Sequence, residues 1–405
     1  MTTSVPQLPE PGDVVEFTVG EVAHGGWCVA RTDSGPVVFV RHALPGERVR
    51  AVITQTTSRF ARADAAQILD PSPDRVPPPC PYARPGGCGG CDWQHAGLPA
   101  QRALKAAVVG QQLRRIAGIE REVTVEPMPG DETGLGWRTR VKFAAGRGGV
   151  AGLRRHRSHE VTQIGDCLIA HPLIETPAVT GRRWPGAASV EVAVAPGSGQ
   201  RAVIVSGRRA ARRDPAHLRQ RAAGRDWRVS ATGFWQVHPA AADTLAAAVL
   251  DALRPRPGDV ALDLYCGAGL FAGVLAGAVG PSGEVIAIEA DAGAVRDARH
   301  NLRATSWARV YRGDAAALLE RDDLSRASLV VVDPPRAGLA RKVVDLLSEP
   351  GRAGRIAYVS CDPATLARDI GAFGASGWTL EALRAFDAFP MTHHVECLAT
   401  LARDP

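Results

Sequence analysis

Lysine is almost missing from this chain of 405 residues, in which only Lys105, Lys142 and Lys342 occur. Arginine therefore supplies 45 of the 48 basic side chains, and the net charge at pH 7 is +6. This excess favours a polyanionic partner such as nucleic acid, but equally basic proteins that bind no nucleic acid are common. Charge alone leaves both interpretations open.

The signals of a secreted or membrane-spanning protein are also lacking. The first residues carry no basic start followed by an apolar run, so we expect a cytoplasmic protein whose cysteines stay reduced. The longest uncharged stretch, residues 264–283, contains six glycines and ends in a Gly-Pro-Ser-Gly turn, which argues against a membrane helix. We expect a buried loop followed by a helix there.

Length and composition bear on the number of domains. The chain has 45% hydrophobic and 22% charged residues, which is typical of globular proteins and excludes a fibre or a disordered polymer. At 405 residues it is too long for one ordinary core. We predict a multidomain protein with a small domain over residues 10–70, a central α+β domain over residues 71–225 and a C-terminal domain over residues 226–405.

The first domain alternates short β-rich runs with turn signals, and a proline-rich linker follows it at residues 70–79. Five short strands predict a small β-barrel of the OB type. Barrels of this size often bind oligonucleotides, although a module that only packs against its neighbours is the other interpretation.

Cysteines mark the central region. Cys80, Cys88 and Cys91 fall within twelve residues, and Cys167 is a candidate fourth ligand. In a reducing compartment this group indicates a metal site, and zinc and an iron-sulfur cluster both accept four thiolates, so the spacing leaves the two open. The remaining elements predicted here are a helix over residues 99–117 and strands near residues 139–145, 188–194 and 201–206.

From residue 226 onward, strands alternate with alanine-rich helices, which predicts a doubly wound, Rossmann-like α/β sheet. Ligands of such sheets bind where the strands end, so the residues after each strand form the candidate site. The strands are expected near residues 259–263, 284–288, 328–332 and 355–359.

Glycines and acids follow the first four of five strands, the third of which precedes Asp314. Gly267 and Gly269 permit a tight turn close to a nucleotide-like ligand, and Glu289 is placed to accept hydrogen bonds from ribose hydroxyls. A dinucleotide-dependent oxidoreductase has the same pattern and remains a rival interpretation. A single aspartate such as Asp314 or Asp333 is more often a helix cap, but acids at successive strand ends indicate a site.

Cys361 follows the fifth strand. A lone cysteine is usually buried and inert, but a helix N-terminus beside it is predicted to lower the thiol pKa and to make Cys361 a nucleophile. Glu396 lies in an otherwise apolar strand, where it either pairs with an arginine or acts as a catalytic acid or base. The nearby His393 and His394 are interpreted as ordinary polar residues.

Four motifs, DLYCGAG, DPPRAG, YVSCDP and HVECLATL, together resemble those of the RNA uracil-C5 methyltransferase family, over the C-terminal 180 residues. The barrel is similar to a TRAM domain, an RNA-binding module, and CPYARPGGCGGCDWQH with Cys167 resembles the family's [4Fe-4S] ligand set. The resemblance implies S-adenosylmethionine as cofactor, with Cys361 as nucleophile, Glu396 as general base and Asp333 holding the reacting groups. The cofactor contacts expected with it are Gln236, Tyr265, Gly267, Gly269, Glu289, Asp314 and Asp333.

Three features depart from the family pattern. His238 stands where the family usually has asparagine, Leu270 stands where it often has a polar residue, and the first cysteine gap is longer than usual. The combination of barrel and cysteine segment is similar to the 23S ribosomal RNA branch. We therefore expect a monomer that acts on ribosomal RNA, with tRNA as the alternative substrate and no membrane partner.

The resemblance also implies a mechanism, in which Cys361 adds to carbon 6 of uracil, carbon 5 takes the methyl group and Glu396 removes the carbon 5 proton. Because the target base is hidden in folded RNA, it has to be flipped out or lie in an open loop. Phe234 and Trp235 are the candidate stacking partners for that base. A non-catalytic RNA-binding protein is the weaker rival interpretation.

Overall fold

The computed structural model of the chain describes residues 8–32, 35–207, 212–321 and 327–403. Its N-terminal part is one six-stranded sheet in the order β1-β5-β6-β4-β3-β2. The strands are β1 (Val14–Thr18), β2 (Val22–Ala23), β3 (Trp27–Arg31), β4 (Val37–Arg41), β5 (Arg48–Thr56) and β6 (Phe60–Asp70).

Strands β1 and β2 are the two halves of one bent segment. The first half pairs with β5 and the second half pairs with β3, so the sheet closes on itself. Alternate residues of β5, namely Val49, Ala51 and Ile53, are at most 1% exposed because they fill the interior, while Arg48 and Arg50 face water. The predicted small barrel is confirmed, but it has six strands and not five, because its first segment is divided into β1 and β2.

The central region contains a sheet in the order β10-β9-β8-β11-β12-β13 and a separate β14–β15 hairpin. The predicted helix over residues 99–117 is present as α1, and its last turn, Leu113–Ala117, is π-helical. The elements are α1 (Leu98–Gln112), β7 (Val125–Pro127), β8 (Arg140–Ala145), β9 (Ala151–Arg154), β10 (Val161–Thr162), α2 (Thr176–Thr180), β11 (Ser189–Ala195), β12 (Gln200–Ser206), β13 (Arg212–Asp214), β14 (His217–Ala222) and β15 (Arg225–Ser230).

The C-terminal part is an eight-stranded sheet in the order β18-β17-β16-β19-β20-β22-β21-β7. Strands β16 to β20 run parallel, and β22 is antiparallel to β20 and β21. Its strands are β16 (Val260–Leu264), β17 (Glu284–Glu289), β18 (Ala308–Arg312), β19 (Leu329–Val332), β20 (Arg355–Ser360), β21 (Trp378–Asp387) and β22 (Glu396–Arg403). Its helices are α3 (Ala241–Leu253), α4 (Leu270–Val279), α5 (Ala292–Leu302), α6 (Ala315–Leu319), α7 (Arg341–Leu347) and α8 (Pro363–Gly374).

Helices cover both faces of this sheet, as the prediction of a doubly wound domain requires. Helices α3, α4 and α5 pack on one face, and α1, α7 and α8 pack on the other. The central strands are therefore mostly apolar, and Val330, Val331 and Val332 of β19 are 0% exposed. The carboxyl ends of the five parallel strands meet at one edge, which is where such sheets bind ligands.

The central region shares this sheet and core. Strand β7 pairs with β21, and the buried Lys105 of α1 forms an ion pair with Asp387 at the end of β21. The domain limits at residues 71–225 and 226–405 remain a prediction, because secondary structure crosses between the two regions. Among the described residues, no helix is long and apolar enough to cross a membrane, and the 264–283 stretch is a loop followed by α4, as predicted.

Candidate active site

The loop between β16 and α4 is held in a strained conformation at the edge of the sheet. Tyr265 has a φ of +65°, which is unusual for a residue with a side chain, and Gly267 and Gly269 have φ angles of +55° and +90°. The backbone N–H groups of Tyr265 and Cys266 both donate to the carbonyl of Ile288. This turn leaves the loop backbone at the ligand-binding edge, as predicted for the two glycines.

Glu289 connects the second strand to that loop. Its Oε2 accepts a hydrogen bond from Gly267 N at 3.0 Å, and its Oε1 accepts one from Asp291 N at 2.8 Å. Each carboxylate oxygen has a second lone pair, so Glu289 can still accept a hydrogen bond from a ribose hydroxyl. Asp314 caps α6 by accepting from Ala317 N at 3.1 Å, which is the structural role that a strand-end aspartate usually has.

Asp263, the last but one residue of β16, was given no site role by the prediction. Its side chain is 0% exposed, and its Oδ2 accepts from Ala272 N at 2.7 Å in the first turn of α4. Burial raises the pKa of Asp263 to about 8, and the charges of Asp333 and Glu289 add to that rise. The aspartate of the DLYCGAG motif could have indicated such a role, because burying a carboxylate inside a parallel strand is costly unless it has a partner or a function.

Gln236 lies in the loop that joins β15 to α3 and is 8% exposed. The backbone N and the Oγ1 of Thr139 both donate to Val237 O at 2.8 Å and hold this loop in place. His238 stacks on Trp137, and its Nδ1 accepts from Ala240 N at 3.2 Å. A histidine at this position can therefore make the hydrogen bond that an asparagine side chain also makes before a helix.

The two aromatic residues before Gln236 differ in accessibility. Trp235 packs against the hydrophobic core and its ring centroid lies 6.1 Å from that of Trp227, whereas Phe234 is 67% exposed. Phe234 is thus the more accessible of the two candidate stacking partners. Leu270, the other departure from the family pattern, is 7% exposed and packs in the same core.

Cys361 and Glu396 lie at the same end of two neighbouring antiparallel strands. The last registered pair of β20 and β22 is Ser360 with Cys397, and this pair is followed by Cys361, the residue directly after β20, and by Glu396, the first residue of β22. Residues opposite each other in antiparallel pairs have Cα atoms about 4.5–5.5 Å apart. Asp333 follows β19, which pairs with β20 on its other side. The sheet order therefore brings together the three residues predicted to be catalytic.

Burial dominates the electrostatics of this group. Burial raises the pKa of the half-buried Cys361 thiol to about 11, the nearby Glu396 adds to the rise and the positive Arg336 opposes it. The predicted lowering by the helix N-terminus is therefore wrong, because burial and three carboxyl groups, those of Glu396, Asp333 and Asp362, raise the pKa of this thiol. Burial also raises the pKa of Asp333 to about 7 and that of Glu396 well above its ordinary value.

Glu396 itself is 4% exposed, and among the described residues no arginine lies within ion-pair distance of it. Of the two interpretations of this acid, the structural ion pair is thus not supported. Asp369 on α8, another residue that the prediction missed, accepts from Leu339 N at 2.8 Å and from the Tyr358 hydroxyl at 2.6 Å. It ties the loop after Asp333 to the helix that follows Cys361.

His393 and His394 pack against each other. His393 Nδ1 lies 2.6 Å from Asp92 Oδ2, and the two histidine ring centroids are 4.1 Å apart. Burial lowers the pKa of His394 to about 3, and the neighbouring His393 adds to this effect. Both rings thus belong to a packed polar cluster two to three residues before Glu396, and their interpretation as ordinary polar residues stays a prediction.

The four predicted cysteine ligands line one cavity in the central region. Gln94 Nε2 donates to Cys91 Sγ at 3.1 Å, and Gly90 N donates to Cys88 Sγ at 3.4 Å. In the described part of the chain, no three cysteine, histidine or acidic side chains surround a point that suits a single metal ion. Burial raises the pKa of Cys88 and raises that of Cys167 to about 11, so metal binding there would release protons.

Family models match most of the chain in three segments. Residues 10–66 match the TRAM domain, and residues 319–404 match the family described as tRNA (Uracil-5-)-methyltransferase. Residues 233–316 match the protein-L-isoaspartate(D-aspartate) O-methyltransferase model. The matches thus cover the barrel and both halves of the C-terminal sheet.

Relatives that align with nearly the whole chain are named as RNA methyltransferases. A protein of Streptomyces avermitilis named as an uncharacterized RNA methyltransferase is 50% identical, over 96% of this chain and 98% of its own. The 23S rRNA (uracil(1939)-C(5))-methyltransferase RlmD of Alcanivorax borkumensis is 29% identical over 98% of both chains. The solved structure of the Pyrococcus abyssi tRNA (uracil-54, C5)-methyltransferase with S-adenosyl-L-homocysteine has a TM-score of 0.71 and 21% identity, over 96% of this chain and 100% of that one.

Proposed function

This chain belongs to the RNA uracil-C5 methyltransferase family, and we propose that it transfers the methyl group of S-adenosylmethionine to carbon 5 of a uridine in RNA. The observation that carries this proposal is the juxtaposition of Cys361 and Glu396 across β20 and β22, beside Asp333 and the glycine loop. A thiol facing a buried carboxyl at the ligand-binding edge of the sheet supplies a nucleophile and a base in one place.

The charge of the site supports S-adenosylmethionine over a dinucleotide. Buried acids gather there, and burial raises the pKa values of Asp263, Asp333 and Glu396. A cationic sulfonium relieves this electrostatic cost, whereas the pyrophosphate of a dinucleotide increases it. We assign the cofactor contacts to Gln236, Tyr265, Gly267, Gly269, Glu289, Asp314 and Asp333.

The proposed reaction begins with the thiolate of Cys361 adding to carbon 6 of uracil, which places negative charge on carbon 5 and its neighbouring carbonyl. Carbon 5 then takes the methyl group from the sulfonium and leaves S-adenosylhomocysteine. The Glu396 carboxylate removes the carbon 5 proton, the bond between sulfur and carbon 6 breaks, and Cys361 leaves as thiolate. One proton is released for each methyl group transferred.

Glu396 suits the third step because of its surroundings. A carboxyl group whose pKa is raised by burial is a stronger base, once ionised, than one in water. Glu396 and Cys361 must both lose their protons before the reaction. The positive charge of the cofactor favours the deprotonation of both groups. Asp333 holds the reacting groups, and the exposed Phe234 stacks on the flipped base.

The preferred substrate class is ribosomal RNA, and the protein works in the cytoplasm as a monomer. The barrel and the cysteine segment support this choice over tRNA. Purified protein given unmodified transcripts and S-adenosylmethionine with a labelled methyl group is expected to form 5-methyluridine in fragments of 23S rRNA. Methylation of tRNA alone would show that tRNA, the alternative, is the substrate. If the protein binds S-adenosylmethionine but methylates neither rRNA nor tRNA, the proposal is overturned.

The cysteine segment is the proposed site of a [4Fe-4S] cluster held by Cys80, Cys88, Cys91 and Cys167. The cavity shared by the four thiols supports it, because such a cluster is held by four cysteine thiolates. The cluster would supply a structural cross-link, since methyl transfer moves no electrons through the protein. All four ligands precede the predicted C-terminal domain.

Protein purified without oxygen is therefore expected to be brown and to contain about four iron atoms and four sulfides per chain. Cys88→Ser is expected to lose most of the iron and to impair folding or RNA binding more than methyl transfer. Cys28→Ser is the matched control, because Cys28 is buried in the barrel and lies outside that cavity. Stoichiometric zinc without iron would contradict the assignment.

A further inference from the structure

The N-terminal barrel reaches the catalytic edge of the C-terminal sheet through one tight turn. Gly25 and Gly26, between β2 and β3, have φ angles of +93° and +81°. A Cβ atom on Gly26 would lie 3.0 Å from the Cβ of His393 and 3.1 Å from the Cβ of Asp92. The turn is therefore packed directly against the loop that leads to Glu396, with room for glycine only.

A first polar connection leads from this turn to the nucleophile. His24 Nε2 lies 3.4 Å from Asp362 Oδ2, and Asp362 is the residue after Cys361. Asp362 caps α8 by accepting from Ala364 N at 3.0 Å and from Thr365 N at 2.9 Å. Burial raises the pKa of Asp362, but the hydrogen bonds from His24 and Thr365 outweigh it and hold the pKa at about 2. The group is thus an ionised anchor between barrel, helix and nucleophile.

A second connection leads to the base. Arg41 at the end of β4 pairs with Asp92 at 3.2 Å, and the two side chains are 5% and 7% exposed. The other oxygen of Asp92 accepts from His393 N at 3.2 Å and contacts His393 Nδ1. The loop that carries His393 continues through His394 into Glu396. The barrel therefore contacts both segments that carry the catalytic pair.

We propose that the barrel is a working part of the catalytic centre, in which His24 and Arg41 are positioning residues for Cys361 and Glu396. This inference rests on the proposed function. Covalent addition requires the sulfur, carbon 6 and the cofactor methyl to be aligned, and a displacement of about 1 Å can cost on the order of 100-fold in rate. Because the same barrel is the proposed RNA-binding module, bound RNA and the catalytic pair share one rigid support.

His24 gives the clearer test, because its side chain is 38% exposed and its removal leaves the core intact. Loss of Arg41 would instead leave the buried Asp92 without this ion-pair partner. The variants are His24→Ala and His24→Gln, whose amide can still donate to Asp362. Arg50→Ala is the matched control on the same barrel, since Arg50 pairs with Glu16 on the exposed face. For each protein one measures the affinities for RNA and for S-adenosylmethionine, and the rate of covalent trapping by saturating 5-fluorouridine RNA.

His24→Ala is expected to slow covalent trapping about tenfold at saturating RNA, which corresponds to the loss of one hydrogen bond. Its affinities for RNA and for S-adenosylmethionine are expected to stay within about twofold of those of the unmodified chain. His24→Gln is expected to recover most of that rate, and Arg50→Ala to match the unmodified chain. A weaker RNA affinity with an unchanged saturated rate would make His24 an RNA contact and overturn the inference, as would no change at all. Failure of the unmodified chain to form any adduct would instead overturn the proposed function, and this inference with it.

Discussion

Cys361→Ala is expected to lower methyl transfer by a factor on the order of 10⁴ or more and to abolish the covalent complex with RNA. The thiol supplies the bond that makes carbon 5 nucleophilic, and alanine has no group that can form it. Denaturing gels of protein incubated with 5-fluorouridine RNA and S-adenosylmethionine measure the complex. The unmodified chain is trapped there, because fluorine cannot leave carbon 5 as a proton.

Glu396→Gln is expected to stop the same reaction one step later. Addition and methyl transfer proceed, but the amide cannot remove the carbon 5 proton, so a covalent complex accumulates on ordinary uridine RNA. Cys28→Ala is the control, because Cys28 is buried in the barrel and its thiol donates to Ala43 O. An adduct formed by Cys361→Ala would show that another thiol is the nucleophile, with Cys266 beside the cofactor loop the first to test.

The charge of the cofactor is expected to control the reactivity of Cys361. With a thiol pKa of about 11, the thiolate fraction rises about tenfold for each pH unit, so alkylation by iodoacetamide in the ligand-free chain is expected to rise about 100-fold from pH 7 to pH 9. Sinefungin, which carries a positive amine at the position of the sulfonium, is expected to accelerate alkylation at pH 7 by tenfold or more. A unit charge about 4 Å away at an effective dielectric of about 20 contributes about 4 kcal/mol, more than enough for this change.

S-adenosylhomocysteine is the matched control, since it has the same adenosine and amino acid parts without the positive charge. It is expected to leave the rate of alkylation unchanged or to lower it by shielding. The modified fraction of the peptide that contains Cys361 is measured by mass spectrometry, so the other cysteines do not interfere. Equal acceleration by both ligands would mean that a conformational change, and not charge, activates the thiol.

The parallel strands and their acidic ends could be predicted because they depend on local pattern. Apolar runs followed by glycine or aspartate identify strands of a buried sheet whatever their order, so Gly267, Glu289 and Asp333 were identifiable in advance. The meeting of Cys361 and Glu396 depends on topology. Strand β22 lies between β20 and β21, and only this reversal of order brings residue 396 next to residue 361.

The features that sequence reasoning missed all depend on contacts between distant segments. The direction of the Cys361 pKa shift depends on how much protein surrounds the thiol, which a nearby helix N-terminus does not determine. Asp369 has no motif, since its role comes from the loop and tyrosine that pack on it. His393 looked ordinary because its partner, Asp92, is 301 residues away in the chain.

The most direct test of the central claim is to map 5-methyluridine in the RNA of cells that contain or lack this protein. Loss of the protein is expected to remove 5-methyluridine from one or a few defined uridines, most simply in 23S rRNA. The unmodified gene is expected to restore the modification, while genes for Cys361→Ala and Glu396→Gln fail to do so. An unchanged 5-methyluridine map in all RNA of cells without the protein would contradict the account, as would full restoration by Cys361→Ala.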